Sequence, residues 1–139
     1  MDNRQITAAA ITFHTTGEGK DGDSQVRDPI TLNGQDYFQL FCCSSGNHGG
    51  DLWNGNSDNT RSMDLISPMT VDSLTNSTFV AGLTANGNDE WHAIYTLYLT
   101  LSDGSRMSYS LREIWLNSQD SSLVEKDVVL STLQPTFHP

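Results

Sequence analysis

The chain has 139 residues, the length of one ordinary domain, enough for a single core but not for two. Its hydrophobic fraction of 36% is low for a helical bundle and suits a β domain whose strands each bury one side. Seventeen acids against seven scattered bases give a formal net charge of −10. That argues against nucleic acid as a partner, because phosphate binding needs clustered Lys and Arg, and against an anionic membrane unless cations bridge it.

Strand-like runs are predicted at 6–15, 25–32, 37–42, 62–66, 78–83, 90–101, 106–116 and 128–133, with loops rich in Gly, Asn, Asp and Ser between them. The first strand leads into Thr16-Gly17-Glu18-Gly19-Lys20-Asp21-Gly22-Asp23-Ser24, a loop of three carboxylates and three glycines. Hard cations take six to eight oxygens, and glycines let loop carbonyls turn inward; the alternative is a solvated turn. The third strand ends at Cys42, with Cys43 directly after it. Neighbours in a strand point to opposite faces, so two free thiols are expected, which favours a reducing, cytoplasmic location. A second polar loop, 51–59, sets Trp53 among Gly and Asn and carries Asn54, Asn56 and Asp58. Trp53 reads as the most exposed aromatic, able to stack on a sugar or dip into a membrane interface, or else as a loop anchor. Asn76-Ser77-Thr78 matches a glycosylation acceptor. A third loop, 86–90, carries Asn88 and Asp89 and runs directly into Trp91.

The hairpin between 90–101 and 106–116 turns at Ser102-Asp103-Gly104. A two-residue turn would set apolar residues opposite polar ones. A three-residue loop pairs Leu101 with Ser105, Leu99 with Met107, Leu97 with Tyr109, Tyr95 with Leu111 and Trp91 with Trp115, with Gly104 left-handed in a G1 bulge. Glu113 then falls on the apolar side without an explanation. A single helical turn is expected within 121–126. About eight strands with regular turn signals describe an all-β fold, a single-domain antiparallel β-sandwich over 1–139. No stretch reaches the roughly 18 apolar residues of a membrane span. The first residues lack the basic region and apolar run of a signal peptide.

Other chemistries find little support. The four histidines have no His-x-His or His-x-x-x-His spacing, no Cys-x-x-Cys is present, and no Gly-x-Ser-x-Gly elbow occurs. The expectation is therefore a protein that binds rather than catalyses, with Trp53, Asn54, Asn56 and Asn88 as candidate ligand contacts.

The order of the pieces resembles PLAT (lipoxygenase homology) domains and, more loosely, C2 domains. The residues concerned are Ile11-Thr12-Phe13-His14-Thr15 leading into Thr16-Gly17-Glu18 and Asp23-Ser24, then Trp53-Asn54-Gly55-Asn56-Ser57-Asp58, Gly87-Asn88-Asp89-Glu90-Trp91 and Tyr109 to Leu116. The basic residue usual before the central glycine is Asn54 here. The resemblance implies two four-stranded sheets and loops that bind calcium, with Asp21, Asp23, Asp58 and Asp89 as metal ligands, facing a lipid surface or a protein partner. The oxygen- and aromatic-rich loops suit a calcium-dependent lectin as the alternative, with a glycan as ligand. A small hydrolase using an acid pair is a further alternative, and a purely structural subunit another.

Overall fold

The computed structural model describes residues 1–21, 24–43, 53–84, 89–120 and 123–139. In chain order the elements are β1 (Ile6–Thr15), β2 (Gln25–Leu32), β3 (Gln35–Cys42), β4 (Asp58–Leu65), α1 (Val71–Thr75), β5 (Thr78–Thr84), β6 (Glu90–Leu101), β7 (Arg106–Asn117), β8 (Glu125–Val129), a 3-10 turn (Leu130–Thr132) and β9 (Thr136–His138). Among the described residues all pairings are antiparallel, in the order β8-β5-β2-β3-β4-β1-β6-β7-β9. The all-β class is as expected, but the sandwich of about eight strands gives way to one curled sheet of nine, a half-barrel. The difference lies in β4. It begins at Asp58 rather than 62, pairs with β1 from Asp58 to Met63, and reaches β3 through Asp64 and Leu65. It therefore carries the hydrogen bonding from one half of the sheet to the other.

Period-two alternation puts one side of each half into a common core. Ile11, Phe13, Trp91, Tyr95, Leu97 and Tyr109 come from one half, and Val26, Ile30, Phe38, Phe79 and Leu83 from the other. Rings meet across the junction, with Phe79 and Tyr95 edge-to-face at 5.8 Å. Helix α1 escaped the sequence reading. It is one short turn capped by Thr70, whose hydroxyl accepts the Ser73 N–H at 3.1 Å. Five residues are too few to show helical periodicity. The helical turn expected within 121–126 lies partly outside the described residues, where the Leu123 and Val124 N–H groups both donate to Asp120 O at 2.9 Å; the strand at 128–133 is corrected, since β8 is Glu125–Val129 and Leu130–Thr132 is a 3-10 turn.

Two hairpins show how turn residues fix register. Asn33 and Gly34 both have positive φ (53° and 78°), as a two-residue turn between β2 and β3 requires. At the β6–β7 hairpin the three-residue loop is observed: Leu101 N–H donates to Ser105 O at 2.9 Å, and Leu99 pairs with Met107. Gly104 has φ +86° with open space around its Cα. Gly104→Val should therefore lower stability by about 1 kcal/mol from backbone strain alone, read as a shift in the urea midpoint. An unchanged midpoint would contradict the left-handed assignment.

Further along that ladder the expected pairing fails. Thr96 pairs with Ser110 but Ile94 pairs with Glu113, so two steps in β6 span three in β7. The extra residue is a β-bulge that exposes Arg112 and Glu113 in succession and reverses the faces beyond. Ile114 and Leu116 turn inward, Trp115 turns outward, and Trp91 meets Leu116 instead of Trp115. The bulge also accounts for Glu113, which never enters the apolar side.

A second irregularity lies in β2. Pro29 has no N–H to donate, and β2 pairs with β5 on either side of Asp28 and Pro29 but not at them. The fully buried Asp28 carboxylate accepts the Gly82 N–H at 3.2 Å, in place of a ladder bond. Gly82 is required there, because a Cβ would lie 2.9 Å from Arg27 O.

The expectation of free thiols is also corrected: Cys42 and Cys43 form a disulfide. Cys42 is the last residue of β3, and Cys43 has φ +83°, so the alternation rule that would point the two side chains apart no longer governs the pair.

Candidate functional site

The described parts of the three polar loops meet at one end of the curled sheet. Lys20 and Trp53 form a two-way backbone bridge (N···O 2.8 and 3.0 Å), Asn56 N–H donates to Thr15 O at 2.7 Å, and His92 N–H donates to Glu18 O at 3.0 Å. Glycine makes the approach possible, since a Cβ on Gly19 would overlap Trp53 O.

Trp53 is corrected from exposed to buried. It is 3% exposed and packs against Phe13 and Trp91 at centroid distances of 5.0 and 5.3 Å, so its ring is not open to a sugar or a membrane. A tryptophan among Gly and Asn reads as a loop tip, but this loop folds back over the end of the core as a plug. Lys20 Nζ and the Arg61 guanidinium lie 5.1 and 5.4 Å from its ring centroid. Asn54 and Asn56 are exposed, and Asn56 is left-handed (φ 63°). Ser57 donates from its N–H and its Oγ to Asn54 O, at 3.2 and 2.6 Å. Asn88 lies outside the described residues.

The aspartates expected to hold calcium go different ways. Asp58 faces outward from β4 and its Oδ1 is 2.5 Å from His14 Nδ1 on β1. Asp89 is buried. It accepts the Asp21 N–H at 3.0 Å and the Ser24 hydroxyl, and burial raises its pKa, opposed by those two bonds. The Asp21 side chain is exposed, and Asp23 lies outside the described residues. Among the described residues no group of three or more His, Cys, Asp or Glu is placed to hold a metal ion. The nearest cation to these loop oxygens is internal. Lys20 is fully buried, and its Nζ donates to the carbonyls of Asp21 (2.7 Å), Ser24 (3.0 Å) and Cys43 (2.7 Å).

A different surface, unread in the sequence, follows from the β7 bulge. Trp115 is 55% exposed and lies flat on His92, with centroids 4.2 Å apart and planes at 6°. Trp115 Nε1–H donates to Glu113, and that bond, with one from the Thr16 hydroxyl, holds the Glu113 carboxyl below the usual range. Gly17 leaves room for the imidazole, since a Cβ there would stand 3.3 Å from Nδ1. Cross-strand pairing sets Asp58, His14, Ile94 and Glu113 in one row of the outer face, with His92 and Trp115 in the next.

Trp115 also borders a groove of about 760 Å³ between β7 and β8. Arg112, Glu113 and Ile114 line it from β7, Lys126, Asp127, Val128 and Val129 from β8, and Thr132 and Leu133 close one side. The groove exists because β9 covers only Arg106–Ser108 of β7, while β8 is the far edge of the sheet. Its volume falls within the range of small-molecule sites, and its walls mix apolar surface with donors and acceptors. The signal in the sequence was faint: two consecutive polar residues, Arg112 and Glu113, interrupting an alternating strand.

No helix among the described residues is long and apolar enough to cross a membrane. No protein-family model matches the chain, and no curated protein matches it.

Proposed function

We propose that this domain is a non-enzymatic binding module for carbohydrate, with the groove between β7 and β8 as its site and Trp115 as its stacking platform. One observation carries the reading: an outward-facing indole, braced flat on His92 and tethered through Nε1 to Glu113, at the rim of a groove lined by two cations and two carboxylates. An aromatic face covers the apolar side of a pyranose, and charged donors and acceptors around it address the hydroxyls. Bracing lowers the entropy lost on binding, because the ring is already in place.

A glycan array followed by calorimetric titration tests the proposal. Trp115→Ala should weaken binding at least about tenfold, or roughly 1.4 kcal/mol, while leaving the melting temperature close to the parent's, since the ring is on the surface. The lipid-surface or protein-partner reading that the PLAT resemblance implies is the other arm. Capture on anionic liposomes with calcium, alongside no retained glycan, would replace the carbohydrate reading with it. Release of sugar from a bound glycan during titration would indicate a hydrolase instead.

A further inference from the structure

We infer that the ammonium of Lys20 is the resident cation of the loop end, standing where a calcium ion was expected, so that these loops are held together without a metal. Buried main-chain carbonyls that converge need donors, and here a charged side chain supplies them. Lys20 Nζ reaches three main-chain oxygens on two segments: Asp21 and Ser24 in its own loop and Cys43 just after β3. Distances of 2.7–3.0 Å are those of charge-assisted hydrogen bonds. The aliphatic stem is fully enclosed, and the indole face of Trp53 lies against the charge.

The surroundings fit a fixed cation. The buried Asp89 carboxylate supplies the opposite charge and is anchored to the same loop through the Asp21 N–H and the Ser24 hydroxyl. An ammonium buried without such partners would be strongly unfavourable, whereas carbonyls and a nearby carboxylate make it the group that orders the loop. Of the other described candidates for calcium, Asp58 is engaged with His14 on the outer face and the Asp21 side chain is exposed.

Calorimetric melting of the whole chain tests this. The parent should melt at the same temperature in millimolar calcium chloride and in chelator. Lys20→Met keeps most of the stem and removes the charge, and should lower the melting temperature by on the order of 10 °C. Lys20→Ala should recover part of its loss with n-propylammonium chloride and none with 1-propanol. A calcium-dependent rise in the parent that Asp21→Asn with Asp23→Asn abolishes would overturn the inference. So would a Lys20→Met variant as stable as the parent, or equal recovery with propanol. If both variants fail to fold, the parent still decides. The chain has only two lysines, Lys20 and Lys126. Its ¹⁵N side-chain spectrum at neutral pH should show one slowly exchanging ammonium, and two rapidly exchanging ones would defeat the proposal.

Discussion

Gly19→Ala should destabilise the protein by about 3–5 kcal/mol and lower its melting temperature by roughly 10–15 °C. The added Cβ overlaps Trp53 O, a main-chain atom with no rotamer to change. Relief would require parting the 16–24 loop from Trp53, which breaks the hydrogen bonds Lys20 N–H to Trp53 O and Trp53 N–H to Lys20 O. It would also lift the indole off Phe13 and Trp91. Gly34→Ala is the control. Gly34 has φ +78° but nothing within reach of a Cβ, so only the left-handed backbone is strained, at about 1 kcal/mol. Denaturant melts of the two variants measure the difference. Equal losses would mean that the loop does not close over Trp53.

Asp28→Asn should stabilise the protein at neutral pH and leave it unchanged in acid. Burial, the largest influence, pushes the Asp28 carboxyl well above the ordinary aspartate range, and the bond from Gly82 N–H opposes it only in part. Below about pH 4, the unfolded-chain value, both states are protonated and the residue is tolerated. Above it the unfolded chain releases a proton that the folded chain retains. Stability then falls by about 1.4 kcal/mol per pH unit until the pH reaches the folded-state value. Asparagine keeps an oxygen for the Gly82 N–H and has no proton to lose. The gap between variant and parent should therefore widen as pH rises from about 4 toward 7, measured by urea unfolding at stepped pH. Parallel curves would show that Asp28 ionises in the fold as it does in the unfolded chain.

The strands were legible because alternation is a local property. Along β6 and the first half of β7 every second residue is apolar, and one face is buried, so both strand and register could be read before any contact was known. Gly104 was legible for the same reason, since only the three-residue loop kept Leu99 opposite Met107. Elements without a period were not: α1 is a single turn, and β9 has three exposed residues.

The candidate site was least legible, because each of its residues changes meaning when one distant fact changes. Trp115 shares its alternation with Met107 and Tyr109 until an extra residue in β7 turns it outward. Trp53 lies in a polar loop but is drawn into the core by Phe13 and Trp91, more than thirty residues away on either side. Of the loop acids, Asp89 accepts from the Ser24 hydroxyl and the Asp21 N–H, and Asp58 contacts His14, while Lys20 donates to the carbonyls of Asp21, Ser24 and Cys43. By itself the sequence determined the class of fold, the extent of most strands, and the faces and register of one hairpin as far as its bulge, all set by the repeating inside–outside pattern of a pleated backbone. Tertiary structure alone decided that β4 joins the halves into one curled sheet, that a bulge presents Trp115 beside a groove, and that Lys20 is buried against three main-chain carbonyls. Those outcomes depend on which distant groups come within a few ångströms, and local periodicity carries no record of that.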